Sequence, residues 1–173
     1  MPSDLTRLSP GPDAPRVVTA VIEIEQSGAN KYEYDAESGS FRLNRVLSSA
    51  IRYPADYGFI PRTLAGDGDP ADILVLTTEP TFPGCLVDAR PVGLLLMRDE
   101  HGEDEKVLSV PLVDERFAEI QDLEDLPAHL LREIEHFFTI YKELTGLPVE
   151  TFGWRPRDEA LAYIDRAIAN APD

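Results

Sequence analysis

The sequence has 173 residues, 43 % apolar and 28 % charged, a composition that suits one globular domain and excludes a disordered or fibrous chain. Its 32 acidic side chains outnumber 16 basic ones, and the formal net charge of -16 argues against nucleic acid or an anionic membrane surface as partner. No apolar run approaches the roughly 20 residues that cross a bilayer, residues 1–16 lack a basic start followed by an apolar stretch, and Cys85 is the single cysteine, so a cytoplasmic protein is expected.

Residues 1–15 carry Pro2, Pro10, Pro12 and Pro15 among small polar residues and read as an extended N-terminal arm. A single domain is expected over 16–173. The segment RVVTAVIEIE (16–25) reads as a strand, with Ile22 and Ile24 on one face and Val21, Glu23 and Glu25 on the other. After a turn at SGAN (27–30), KYEYD (31–35) alternates Lys31, Glu33 and Asp35 against Tyr32 and Tyr34. AESG (36–39) then turns the chain into a third strand near 40–46, giving an antiparallel meander. Alternation puts Arg45 on the face of Phe41 and Leu43, where a guanidinium needs an anionic partner.

Residues 47–70 read as irregular, punctuated by Pro54, Gly58, Pro61, Gly66, Gly68 and Pro70. ILVLT (73–77) reads as a buried strand, and further strands are expected at 86–89, 92–97 and 107–110. From Ala128 to Thr145 the period changes: Leu130, Ile134, Phe137, Tyr141 and Leu144 recur at helical spacing. Asp125 and Pro127 suit the start of that helix and Gly146 its end. Pro156 opens a shorter helix with Leu161, Ile164 and Ile168 on one face. The expected class is α+β, a small β-barrel followed by two helices.

The densest chemistry lies in Asp67-Gly68-Asp69-Pro70-Ala71-Asp72, three carboxylates in a loop shaped by a glycine and a proline. Like charges this close cost free energy unless a cation or a retained proton relieves them, and hard divalent cations prefer oxygen ligands. A solvated acidic turn is the plain alternative. A calcium loop of the EF-hand kind fails, because the positions that should hold an acid, glycine and glutamate hold Ala71, Asp72 and Thr78. An aspartyl-nucleophile phosphatase is a weak reading as well, since the apolar run follows the aspartates instead of preceding them. A second acidic run, Asp99-Glu100-His101-Gly102-Glu103-Asp104-Glu105-Lys106, links two apolar segments and by itself reads as a solvated hairpin tip, with His101 at the surface. Tyr53 and Tyr57 lie in IRYPADYGFI; Tyr141 and Lys142 lie on the long helix, where Tyr141 falls on the apolar stripe and needs a partner for its hydroxyl.

Taken together, these segments resemble the soluble family I inorganic pyrophosphatases of bacterial type. DGDPADILV is similar to that family's signature. The resemblance extends to VIEI (21–24), NKYEYD (30–35), NRVLSSAIRYPADYGFIPRTL (44–64), FPG (82–84), RPVGLLLMRDEHGEDEKVLSVP (90–111) and IEHFFTIYKEL (134–144), in order over roughly residues 17–145. It implies a five-stranded OB-like barrel with flanking C-terminal helices. It also implies hydrolysis of pyrophosphate to two phosphates by a metal-activated water.

The roles it implies follow position by position. Asp67, Asp72 and Asp104 match ligands of the two activating magnesium ions. Asp99, Asp104 and Glu33 match sites for further ions, and Glu23 matches an acid at the cluster. Lys31, Arg45, Lys106, Tyr141 and Lys142 match groups that hold the phosphates, with Tyr57 and Tyr53 as phenols of the site. Asp69 matches the base for the attacking water, and Asp99 is the other candidate. Several Mg2+ ions are implied, with Mn2+ or Zn2+ as substitutes, and the substrate is pyrophosphate as its magnesium complex. A homohexamer is implied as well. Asn44 stands where the family often has Asp, TGLPVETFGW lacks lysines often seen there, and Ile140 stands one turn after His136 in place of a companion histidine. Physically the set is coherent, because cations on both phosphates relieve the charge that repels water. The alternatives are a metal-dependent hydrolase of another small polyphosphate and an inactive OB-like cation-binding module.

Overall fold

The computed structural model describes residues 4–172. Along them the chain forms β1 (Val18–Ile24), β2 (Asn30–Asp35), β3 (Ser40–Val46), β4 (Asp56–Phe59), β5 (Asp72–Val75), β6 (Leu86–Asp99), β7 (Gly102–Glu103), β8 (Lys106–Pro111), α1 (Ala128–Ile140), β9 (Glu150–Pro156) and α2 (Arg157–Asn170). Five strands close on themselves. β1 pairs antiparallel with β4, β4 with β5, β8 with β6, and β6 again with β1, while β5 and β8 run parallel. Closure gives each of the five a neighbour on both sides. β9 and β7 add to the long β6, and β2–β3 form a separate hairpin. This is the expected α+β arrangement, with the five-stranded ring in the place of the OB-like barrel.

Alternation along the ring strands sorts the core into two layers. Leu74, Leu95 and Leu108 pack with Ile134, Phe137 and Phe138 of α1. Ile73, Leu94 and Val107 pack with Ala160, Tyr163 and Ile164 of α2. Each fully buried large side chain contributes about 1.5–3 kcal/mol relative to exposure. That apolar gain favours α1 and α2 where they lie, more than helix propensity does.

Several elements differ from the sequence reading. The segment 47–70 contains β4, whose four residues are all buried. Full burial on both faces erases alternation, so DYGF carries no strand signature. Gly58 is essential to its pairing, because a Cβ there would stand 1.8 Å from the Val21 carbonyl oxygen. The two short strands expected at 86–89 and 92–97 are one strand, β6, which carries Pro91 through an irregularity in its pairing with β8. β9 lies between the two expected helices, in a stretch for which no strand was expected. Helix α1 ends at Ile140, and Glu143–Thr145 is a separate 3-10 turn closed by Gly146 at φ 74. Leu144, expected on the apolar stripe, is therefore exposed. On α2 the buried residues are Ala160, Tyr163, Ile164 and Ala167, with Leu161 and Ile168 half-buried.

The hairpin corrects the placement of Arg45. Its register pairs Lys31 with Arg45 but Tyr32 with Leu43. Asn44 is thus the extra residue of a β-bulge, and Arg45 turns onto the face of Lys31 instead of sharing that of Leu43.

Residues 4–15 lie along the domain. Asp4 caps a 3-10 turn at Leu5–Arg7, the Thr19 amide donates to the Pro10 carbonyl, and Asp13 bridges to Val17. Among the described residues no helix is long and apolar enough to cross a membrane.

Candidate active site

One cavity of about 420 Å³ opens between the ring, the β2–β3 hairpin and the end of α1. Every candidate residue singled out above lines it: Glu23, Lys31, Glu33, Arg45, Tyr53, Tyr57, Asp67, Asp69, Asp72, Asp99, Asp104, Lys106, Tyr141 and Lys142. The sequence scatters them over 120 positions; topology gathers them.

At the centre, the parallel register of β5 and β8 sets Asp72 beside Lys106. The Lys106 ammonium is buried and donates to Asp72 Oδ2 at 2.6 Å, Asp104 Oδ1 at 2.8 Å and the Tyr57 hydroxyl at 3.0 Å. Three donors meet three acceptors. Burial alone would lower the Lys106 pKa, but Asp72, the Tyr57 hydroxyl and Asp104 outweigh it and hold the ammonium well above its ordinary range. Asp104 is pushed up to about 6, first by burial and then by Asp72, against the pull of Lys106. Tyr57 is raised, chiefly by burial and by Asp72.

Glu23 reaches this centre through a defect in pairing. Ile22 opposes Gly58 and Ile24 opposes Tyr57, so Glu23 is the bulged residue of β1 and its carboxylate turns into the cavity. Its Oε1 accepts from the Tyr34 amide at 2.8 Å. Burial, with Asp72 and Glu33 nearby, pushes it up to about 7.

The loop between β4 and β5 presents Asp67 and Asp69 at the mouth, both exposed. Gly68 at φ 90 permits the reversal, the Asp67 carboxylate accepts from the Asp69 amide, and the Ala65 amide donates to the Asp69 carbonyl. Beneath it, the Thr63 hydroxyl accepts from the Ala71 amide at 2.8 Å and donates to the Ile60 carbonyl. Partial desolvation of its carboxyl, and then the neighbouring Asp67, raise Asp69 from its ordinary value.

On the opposite wall, Lys142 donates to Asp99 at 3.0 Å and to both oxygens of Glu100 at 3.1 Å. Asp99 also accepts from the His101 amide. Burial opposes ionisation of Asp99, but the His101 amide and Lys142 outweigh it and lower its pKa. Lys31 pairs with Glu33 at 2.8 Å. The guanidinium of Arg45 lies 5.7 Å from the Tyr141 ring centroid, and Tyr53 packs on Phe137 and Tyr57.

Two contributors escaped the sequence reading. Glu100 joins Lys142, but inside an acidic run nothing distinguishes it from its neighbours. Thr6, in the N-terminal arm, lines the cavity and carried no chemical signal. His101 is at the rim with an exposed side chain, as its loop position suggests. Among the described residues no three or more His, Cys, Asp or Glu side chains form a ready-made metal cage; Asp72 and Asp104 close on Lys106 instead.

Comparisons with known proteins converge. The family model described as Inorganic pyrophosphatase matches residues 20–171. An inorganic pyrophosphatase of Geobacillus stearothermophilus is 51 % identical over 154 residues, covering 89 % of this chain and 93 % of that one. One from Thermus thermophilus is 50 % identical over 170 residues, covering 96 % and 97 %. The crystal structure of a Thermus thermophilus inorganic pyrophosphatase superposes with a TM-score of 0.94 at 50 % identity, over 96 % of this chain and 98 % of that chain. One from Helicobacter pylori gives 0.90 at 41 % identity, over 94 % and 96 %.

Proposed function

The chain belongs to the inorganic pyrophosphatase family, and from that premise we propose that it hydrolyses inorganic pyrophosphate to two phosphates with magnesium ions at the cavity described above. The observation that carries this reading is a single cavity with two opposed inventories. Glu23, Glu33, Asp67, Asp69, Asp72, Asp99 and Asp104 supply carboxylates, while Lys31, Arg45, Lys106, Lys142 and the phenols of Tyr57 and Tyr141 supply cations and donors. A compact polyanion that travels with hard cations needs both.

The carboxylate set fits divalent cations. Its donors are oxygens, which suit Mg2+ and admit Mn2+ or Zn2+ as substitutes. Glu23 and Asp104 are raised first by burial and then by the nearby Asp72, and a bound cation would offset both effects. Glu23, Glu33, Asp67, Asp72, Asp99 and Asp104 would hold the ions. When bound, such ions neutralise the phosphates and make a water more acidic.

The chain's own groups do the rest. Lys31, Arg45, Lys142 and Tyr141 would hold phosphate oxygens and fix the phosphorus in line for attack. Lys106 can join them only by releasing one of its three partners. Asp69 is the better of the two candidate bases. Its carboxyl is raised from its ordinary value, whereas Asp99 is lowered and already accepts from Lys142 and the His101 amide. No covalent intermediate is needed.

The substrate in this reading is the magnesium complex of pyrophosphate, handled in the cytoplasm; the single cysteine supports that compartment. A homo-oligomer, of hexameric form, belongs to the same reading. Exposed apolar side chains such as Phe82 and Val113 support it, the latter 87 % accessible. Competing pyrophosphate against ATP with magnesium tests the substrate. Turnover of pyrophosphate alone is expected, and equal turnover of ATP would favour a broader polyphosphate hydrolase.

A further inference from the structure

The N-terminal segment touches the site at two points that no catalytic role explains. The Leu5 amide donates to the Tyr34 hydroxyl at 3.1 Å, and the Thr6 carbonyl accepts from the Arg62 amide at 2.9 Å. Both contacts lead inward. The Tyr34 amide holds the Glu23 carboxylate. Arg62 adopts φ 50, a left-handed conformation that a long side chain rarely takes, and the next residue is Thr63, whose hydroxyl anchors Ala71 beside Asp72.

The segment is itself preset. Asp4 Oδ1 accepts from both the Thr6 amide, at 3.0 Å, and the Thr6 hydroxyl, at 2.7 Å. The Pro10 carbonyl then fixes it to β1 through the Thr19 amide. The Tyr34 ring is packed between Phe41 and Phe59, with centroids 5.4 and 6.2 Å away, so its hydroxyl is held at a set height above the hairpin.

We propose that Asp4–Leu8 is a positioning brace of the metal site, tying the β2–β3 hairpin and Glu23 on one side to the Asp67–Asp72 loop on the other. One short turn spans both walls of the cavity, and Thr6 stands on its rim between them. The brace sets where the carboxylates wait. It makes no contact that the reaction itself requires, so it acts on cation affinity more than on turnover. This inference rests on the pyrophosphatase reading for its activity test but not for its structural one.

The test uses the full-length chain with Tyr34→Phe, which keeps the packed ring and removes the hydroxyl, and Asp4→Ala, which frees the turn. Losing one hydrogen bond of this kind shifts an equilibrium about fivefold. Each variant should need about fivefold more magnesium for half-maximal pyrophosphate hydrolysis, with maximal rate within about threefold of the parent. Magnesium titrated calorimetrically without substrate should show the same weakening. Hydrogen exchange at the Arg62 amide should quicken in Asp4→Ala. An unchanged magnesium requirement in both variants overturns the brace, as does a lower maximal rate at unchanged requirement. If the parent enzyme released no phosphate, the pyrophosphatase reading would fall, while the calorimetry and the exchange would still decide the brace. A variant that fails to fold overturns the proposal of a local role.

Discussion

At Asp69 and Asp99 the environment shifts two similar carboxylates in opposite directions, which is the basis for proposing Asp69 as the base. Asp69 faces solvent beside Asp67 and is raised, so it takes a proton readily. Asp99 is tied by Lys142 and an amide. Asp69→Asn should therefore lower maximal rate by two or more orders of magnitude (roughly 10²–10⁴-fold for a lost general base) with far- and near-ultraviolet dichroism unchanged. Asp99→Asn should act mainly on the magnesium requirement; near-full activity in both variants would disprove the proton transfer. Asp72→Asn should raise the magnesium requirement further, because it removes an acid at the centre of the cavity.

The same residues give a pH dependence with a definite sign. Glu23 sits near 7 against 4.5, and Asp104 near 6 against 3.8. Both are raised on folding, so between these limits the folded state binds more protons than the unfolded one. Stability of the metal-free protein must then fall as pH rises through that window. The unfolding free energy measured by denaturant titration in chelator should drop between pH 5.5 and 7.5 by an amount on the order of 2 kcal/mol, lowering the midpoint, and magnesium should restore it. A midpoint that rises over that interval would contradict the electrostatic picture.

Elements explain how such a site is assembled, and why only part of it could be read in advance. The acidic loop was legible because three aspartates around a glycine and a proline have few uses, and β1, β2 and β3 were legible because one face of each alternates. β4 was not, since it is buried on both faces. β9 was hidden by a half-exposed pattern with Gly153 at φ 83 and a terminal proline. The inward turn of Glu23 depends on a β1 bulge that only the partner strand reveals, and that of Arg45 on the bulge at Asn44. Periodicity ran the helix on to Thr145, but the backbone leaves it before Lys142, whose φ of -108 turns its ammonium to Asp99 and Glu100. Gly58→Ala tests the element scale. Its new methyl meets backbone, not a mobile side chain, so destabilisation of about 3 kcal/mol or more is expected in thermal or urea unfolding. Tolerance of alanine there would mean that β1 and β4 do not approach as described.

For the molecule as a whole, the charge of -16 and an anionic substrate are reconciled by placement. The cationic side chains of the site stand together inside one cavity, and the carboxylates facing them invite cations that reverse the local field. Sedimentation should find an assembly larger than one chain; a stable monomer at micromolar concentration would remove the hexamer from the account. The most direct test of the central claim is phosphate release from pyrophosphate as magnesium is titrated, with calcium as competitor. Fast release that requires magnesium and is suppressed by calcium is the predicted result. No release with magnesium, manganese or zinc would contradict it, and would mean that these residues share a cavity without forming a working site.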